Sequence, residues 1–246
     1  MANRIAQEAF AGLIDDLRST HGENLASVVL YGSAATGEYV EARSDYNILI
    51  ALHRIAPEDL RLAQAPVREW QRLGHPLPVY FTFAELRGAA DVFPIEFHSM
   101  ERARLVLYGR DPFDSISISD ANLRHQTEYE LRSKLLQLRR LYIPASASAE
   151  RLRDLMSESL SSFAALFAPV LLLQGRTPPV LKRDVVRETV RALGLDGAAF
   201  ERIFELRAAG EGALDEREAD ALFAAYLQQV EHVIEAVDRA EVGAEM

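Results

Sequence analysis

Cysteine is absent from the 246 residues. That excludes a disulfide framework and Cys-ligated zinc, and it fits a reducing compartment, so the expectation is a cytoplasmic protein. Positive charge is scarce. Lys and Arg total 27 against 37 Asp and Glu, a formal net charge of -10. Non-specific binding to nucleic acid or to an anionic membrane needs a basic surface, so neither partner is expected. Long apolar runs are missing too. The longest, Phe163 to Leu173, is interrupted by Pro169 and falls well short of the roughly 20 residues of a spanning helix. It reads as a buried core helix. Met1 to Phe10, with Arg4, Gln7 and Glu8, lacks the apolar core of a signal peptide. His21, His53, His75, His98, His125 and His232 show no metal-ligand spacing. What is present is ordinary globular composition, 49% hydrophobic and 26% charged. At roughly 150 residues per domain the length allows one or two.

The two halves differ in texture. Residues 1–117 alternate short β-rich runs with helical patterns. Phe10, Leu13, Ile14 and Leu17 share a helical face, and Leu25 to Tyr31 and Tyr46 to Leu52 read as strands. Pro57 opens a helix whose face continues through Leu60, Ala63, Val67 and Trp70 to Gly74. Strands are expected at Leu77 to Phe83, Phe93 to His98 and Arg104 to Tyr108. Residues 118–246 read as helices: Asn122 to Tyr142, Ala149 to Leu173, Val180 to Leu193, Ala198 to Ala208 and Glu216 to Ala240. Pro144 to Ala149 reads as a linker. The expectation is an α/β domain over 1–117 followed by an all-α helical bundle over 118–246.

The chemistry-bearing stretch is Val28 to Leu52. A strand runs into Gly32-Ser33, and Ser44-Asp45 opens a second strand through Tyr46 and Asn47. Strand residues alternate faces, so Asp45 and Asn47 project to one side, roughly 6–7 Å apart, and Tyr46 to the other, where it reads as core. Two oxygen-bearing groups at that spacing suit a hard cation. Gly32 allows close backbone approach to a ligand, and Ser33 adds a hydroxyl at a helix start that favours phosphate. Gly32 and Gly37 have the glycine spacing of a P-loop, but Glu38 stands where the phosphate-binding lysine belongs, which removes that reading.

On Gly32-Ser33 followed by Ser44-Asp45 and the apolar Ile48, Leu49 and Ile50, the stretch resembles the polymerase-beta-like nucleotidyltransferase superfamily, in particular its small bacterial and aminoglycoside-modifying members. The resemblance implies a mixed sheet with helices on one side and an all-helical second domain. It implies a nucleoside triphosphate, ATP in the first instance, whose phosphates meet Gly32, Ser33 and Ser44. It implies Mg2+ on Asp45, Asn47 and a third carboxylate from a later strand, for which Glu96 is the candidate. It also implies transfer of a nucleoside monophosphate to a hydroxyl of a small molecule or protein. In aminoglycoside enzymes of this fold a second-domain carboxylate can serve as general base. Glu128, which shares a helix face with Arg124 and Arg132, is the candidate here; the competing reading of that face is a surface salt-bridge ladder. The acidic balance suits a cationic acceptor, and a homodimer is compatible with the sequence.

The departure is Asn47, where the superfamily pattern has a carboxylate. A neutral amide removes one negative charge from a site whose two-metal chemistry relies on it. The alternative expectation is therefore a catalytically weakened nucleotide-binding sensor or regulator. A helical RNase half is disfavoured, because neither His125 nor His232 has the upstream arginine such RNases use.

Overall fold

The computed structural model describes residues 2–32, 34–35, 46–114, 116–209 and 214–240. It divides into two compact units, Met1–Ser119 and Asp120–Met246.

The first unit is built on a four-stranded mixed sheet. Helix α1 (Ala2–His21) leads through a 3-10 turn (Gly22–Asn24) into β1 (Leu25–Tyr31). Then come β2 (Asn47–Leu52), α2 (Pro57–Leu62), α3 (Gln64–Arg72), β3 (Val79–Thr82), α4 (Phe83–Gly88), α5 (Pro94–Arg102) and β4 (Arg104–Gly109). The strand order is β3-β2-β1-β4. β1 runs antiparallel to β2 and β4, and β2 runs parallel to β3.

The near-continuous apolar character of β1 and β2 follows from burial on both faces. Val28, Leu30, Ile48 and Ile50 pack with Leu13, Leu17 and Trp70 of α1 and α3. Val29, Leu49 and Ala51 pack with Leu86, Phe97 and Met100 of α4 and α5. Helices thus cover both faces of the sheet, not one side as the resemblance implied. At the end of β4, Gly109 (φ +76) lies so close to β1 that an added Cβ would stand 2.1 Å from the Ala26 carbonyl oxygen. The position admits no side chain without moving the backbone.

Two further expectations are corrected. The helix starting at Pro57 is two helices, broken at Ala63. Asp59, not Leu60, turns inward. Its carboxylate accepts from the Ala56 N–H (2.9 Å) and from Asn24 Nδ2 (3.2 Å), whereas Leu60 is 45% exposed. Phe93 to His98 is not a strand but the start of α5. Proline is poor inside a ladder and good in a helix's first turn, and Pro94, Phe97 and Met100 are buried at three-residue spacing, a helical period. The Phe97 N–H donates to the Phe93 carbonyl (3.0 Å).

The second unit contains α6 (Asp120–Ala145), α7 (Ala149–Leu173), α8 (Lys182–Leu193), α9 (Ala198–Ala209) and α10 (Glu216–Asp238). Pro144, expected in a linker, lies in the last turn of α6. Ser148 caps α7 by accepting the Arg151 N–H (3.2 Å), and Asp215 and Glu218 cap α10 reciprocally. Helix α7 is long and apolar enough to cross a membrane by length and composition. Here it is the hub of the unit. It packs against α6, α8, α9 and α10, and Leu160, Phe163, Phe167 and Leu171 are fully buried. Phe163, Phe167, Phe200 and Tyr226 meet edge to face or tilted at 5.8–6.4 Å between ring centroids, a favourable geometry for aromatic quadrupoles.

Candidate functional site

The two halves of the motif meet at one end of the sheet. Tyr31, the last residue of β1, is the ladder partner of Asn47, the first of β2. The next residue, Gly32, takes φ +84, and a Cβ built on it would lie 3.4 Å from Asn47 Nδ2. Gly32 therefore leaves its conformation and the space beside the Asn47 amide free of a side chain. Its N–H donates to the Ala103 carbonyl (2.8 Å), and its own carbonyl accepts from the Ala35 N–H (2.9 Å). That fixes the chain's exit from β1, and it commits the Gly32 N–H to β4's approach and away from a ligand.

The faces sort as strand alternation requires. Tyr46 is buried in the α1–α3 side of the core, its ring 4.9 Å from Phe10 and 4.8 Å from His75. Asn47 is half-buried at the head of the strand, on the face of Leu49 and Ala51. Ser33, Ser44 and Asp45 lie outside the described residues.

Glu96 does not lie on a strand. It sits in the first turn of α5, exposed, between residues that turn Pro94 and Phe97 to the core. The described strands, LASVVLY, NILIAL, VYFT and RLVLYG, carry no Asp or Glu. Leu49 is level with Val79 in the parallel β2–β3 pair. Stepping back two residues on each brings Leu77 and Pro78 toward the level of Asn47, and Leu77 is 63% exposed.

Arg104 is the ladder partner of Tyr31 on the opposite side from Asn47, and its guanidinium is held within its own hairpin. Its Nε donates to Asp111 (2.7 Å), its Nη1 to the Glu101 carbonyl, and Asp114 stands 3.9 Å away. The Phe113 ring lies beneath it at 5.5 Å. Between Asn47 and Arg104, burial pushes the Tyr31 phenol up from its ordinary value, so its hydroxyl stays protonated. Sequence reasoning passed over Tyr31; its only signal was its position beside Gly32.

Glu128 belongs to the other unit. On α6 it accepts from Arg132 Nε (2.7 Å) and Arg124 Nη1 (3.0 Å), and Arg132 also reaches Asp238 of α10 (3.4 Å). The Arg132 hydrogen bond, against a smaller opposing effect of burial, holds its carboxyl below the usual range, with Arg124 helping. A carboxylate so held is a weak proton acceptor, and the geometry is that of the salt-bridge ladder.

The described residues do not fit a magnesium site. Among them no three His, Asp or Glu side chains gather, and Asn47 brings one neutral carbonyl oxygen where a hard cation prefers carboxylates. Several carboxylates of the helical unit are tied to arginines, as in Arg139–Glu231, Arg176–Glu188 and Arg187–Glu201.

Comparison with solved structures gives a match over nearly the whole chain. The crystal structure of spectinomycin adenyltransferase AAD(9) from Enterococcus faecialis, with ATP and spectinomycin, superposes with a TM-score of 0.56. The match covers 93% of this chain and 99% of that one at 10% identity. The two chains share a fold. No family model matches the sequence, and no curated protein matches it. The likeness rests on element order and geometry, and at this identity it speaks for the fold.

Proposed function

We propose that the chain binds a nucleoside triphosphate, ATP in the first instance, at the Gly32–Asn47 end of its sheet and transfers the nucleoside monophosphate to a hydroxyl of a small molecule. The observation that carries this reading is the contact between Gly32 and Asn47 at the head of paired strands, within a fold shared along 93% of the chain with an adenyltransferase that binds ATP. Ser33 and Ser44 are the hydroxyls assigned to the phosphates. Asp45, one residue from Tyr46 and two from Asn47, is assigned to the reacting end of the nucleotide, with Asn47 holding a phosphate oxygen through its amide N–H. In the reaction an acceptor oxygen attacks the α-phosphorus in line, the bond to the bridging oxygen breaks, and pyrophosphate leaves. The acceptor's proton goes to a carboxylate, for which Asp45 is better suited than the arginine-bound Glu128. Magnesium, where it serves, would supply charge neutralisation on the phosphates. A cationic acceptor finds no support in the described carboxylates at this end of the sheet.

One observation favours a second reading. With Asn47 at the second motif position and Glu96 on a helix, the described strands offer no acid at all. That arrangement suits a nucleotide-binding protein whose chemistry is weakened or lost. Two measurements separate the readings. Titration with a non-hydrolysable ATP analogue, with and without magnesium, tests binding, and its absence under both conditions defeats both. Pyrophosphate release from ATP then decides. Activity in the parent that Asp45→Ala abolishes supports transfer; activity that appears only in Asn47→Asp supports the binding protein.

A further inference from the structure

Helices α6 and α7 leave a hollow of about 140 Å³ along their shared groove. A cavity of roughly 150 Å³ is known to accept one benzene-sized group, so neither a nucleotide nor a sugar chain is enclosed there. Its floor is apolar: Leu138, Phe163 and Leu155. Its rim carries Lys134 and Gln137 from α6 and Glu158 from α7.

Two charges line this hollow, whereas much of the unit's charge is paired. Arg124, Arg132, Arg139, Arg176, Arg183 and Arg187 each meet a carboxylate. Lys134 and Glu158, opposite in sign and lining one hollow from facing helices, have neither an ion pair nor a hydrogen bond among the described residues. Ser159, also on the wall, is already engaged with the Met156 carbonyl (3.2 Å) and the Tyr226 hydroxyl (3.0 Å). What the hollow leaves unmatched is one cation, one anion, the neutral Gln137 amide and Ser162 hydroxyl, and an apolar floor.

We infer that this hollow binds a compact zwitterion of the α-amino-acid class. The ligand's carboxylate meets Lys134, its ammonium meets Glu158, and an aliphatic or single-ring side chain lies on Leu138, Leu155 and Phe163. Charge-assisted hydrogen bonds at both ends give orientation, and the floor sets the size limit. Every residue named belongs to the second unit.

The test is calorimetric titration of the full chain with L-leucine and L-phenylalanine, repeated with leucinamide, which lacks the carboxylate, and 4-methylpentanoate, which lacks the ammonium. Saturable binding of at least one amino acid is expected. Lys134→Gln and Glu158→Gln, both at the rim, should each weaken it at least about tenfold while leaving the far-ultraviolet circular dichroism unchanged. The single-charge analogues should bind at least about tenfold more weakly. Absence of saturable binding by either amino acid overturns the inference, as does undiminished affinity in the variants. Equal affinity for leucinamide also overturns it, by showing an amine site in place of a zwitterion site.

Discussion

The two units hold their charges in opposite ways. In the helical unit, acids and bases are laid along helix surfaces and tied to one another: Arg124–Glu128–Arg132–Asp238, Arg183–Glu201–Arg187 and Arg176–Glu188–Arg191. In the first unit the described strands carry no acid, and Arg104, their one formal charge, is clasped by Asp111. The net charge of -10 is therefore a poor guide to the candidate site. Pairs on helix surfaces contribute little each, and what stabilises the helical unit is the volume packed around α7. The first unit depends more on backbone placement, at Gly109 and Gly32, where a single Cβ has no room or stands against a neighbour.

The sharpest test of that contrast is Phe163→Ala. Removing a fully buried ring at the meeting point of α7 and Tyr226 should cost the helical unit about 3–5 kcal/mol, read as a lower denaturation midpoint by helical circular dichroism. Gly109→Ala should follow, costing the first unit about 3 kcal/mol, because its methyl meets the Ala26 backbone and not a yielding side chain. Denaturant unfolding would break the comparison if Gly109→Ala proved neutral.

A smaller effect depends on pH. His21 closes α1, buried, with both ring nitrogens lacking a hydrogen-bond partner among the described residues. Burial lowers its pKa below 6.5 despite the attraction of Asp59. The folded state thus binds the proton less readily than the unfolded one. Its contribution is fully present above about 6.5 and is lost as pH falls toward the lowered folded value. Stability measured between neutral and mildly acidic pH should fall less steeply in His21→Phe than in the parent. The smallest effect is expected for Glu128→Gln, about 0.5 kcal/mol by denaturant titration. A loss several times larger would show that the α6 ladder is not an ordinary surface network.

Much of this was legible in the amino-acid order, and the exceptions share a cause. Leu25–Tyr31 and Ala149–Leu173 announce themselves, the first as a β-branched run stopped by a glycine, the second as a long apolar helix. Phe93 to His98 is too short for periodicity to separate strand from helix, and Pro94 was the clue that outweighs its apolar content. With the strand went the carboxylate expected of Glu96. The inward turn of Asp59 is held in part by Asn24, a residue far away in sequence. Likewise the Arg104–Asp111 clasp needs the turn at Gly109 to bring them together. Gly32 and Asn47 could be paired from the motif. That the Gly32 N–H is already taken by Ala103 needed coordinates, because Ala103 is a residue no pattern singles out.

The central place of α7 also bears on how the chain is made. Synthesis runs from the N-terminus, so α6 and α7 are complete while α10 is still to be added. Until then, the surface of α7 that receives Tyr226 has no cover, and it is the most apolar helix of the chain. A nascent chain paused between α8 and α10 would present that surface to its neighbours, and transiently exposed apolar surface is what drives aggregation. Helices α8 and α9 cover part of α7 before then, as Phe200 on Phe167 does, and α10 closes the rest.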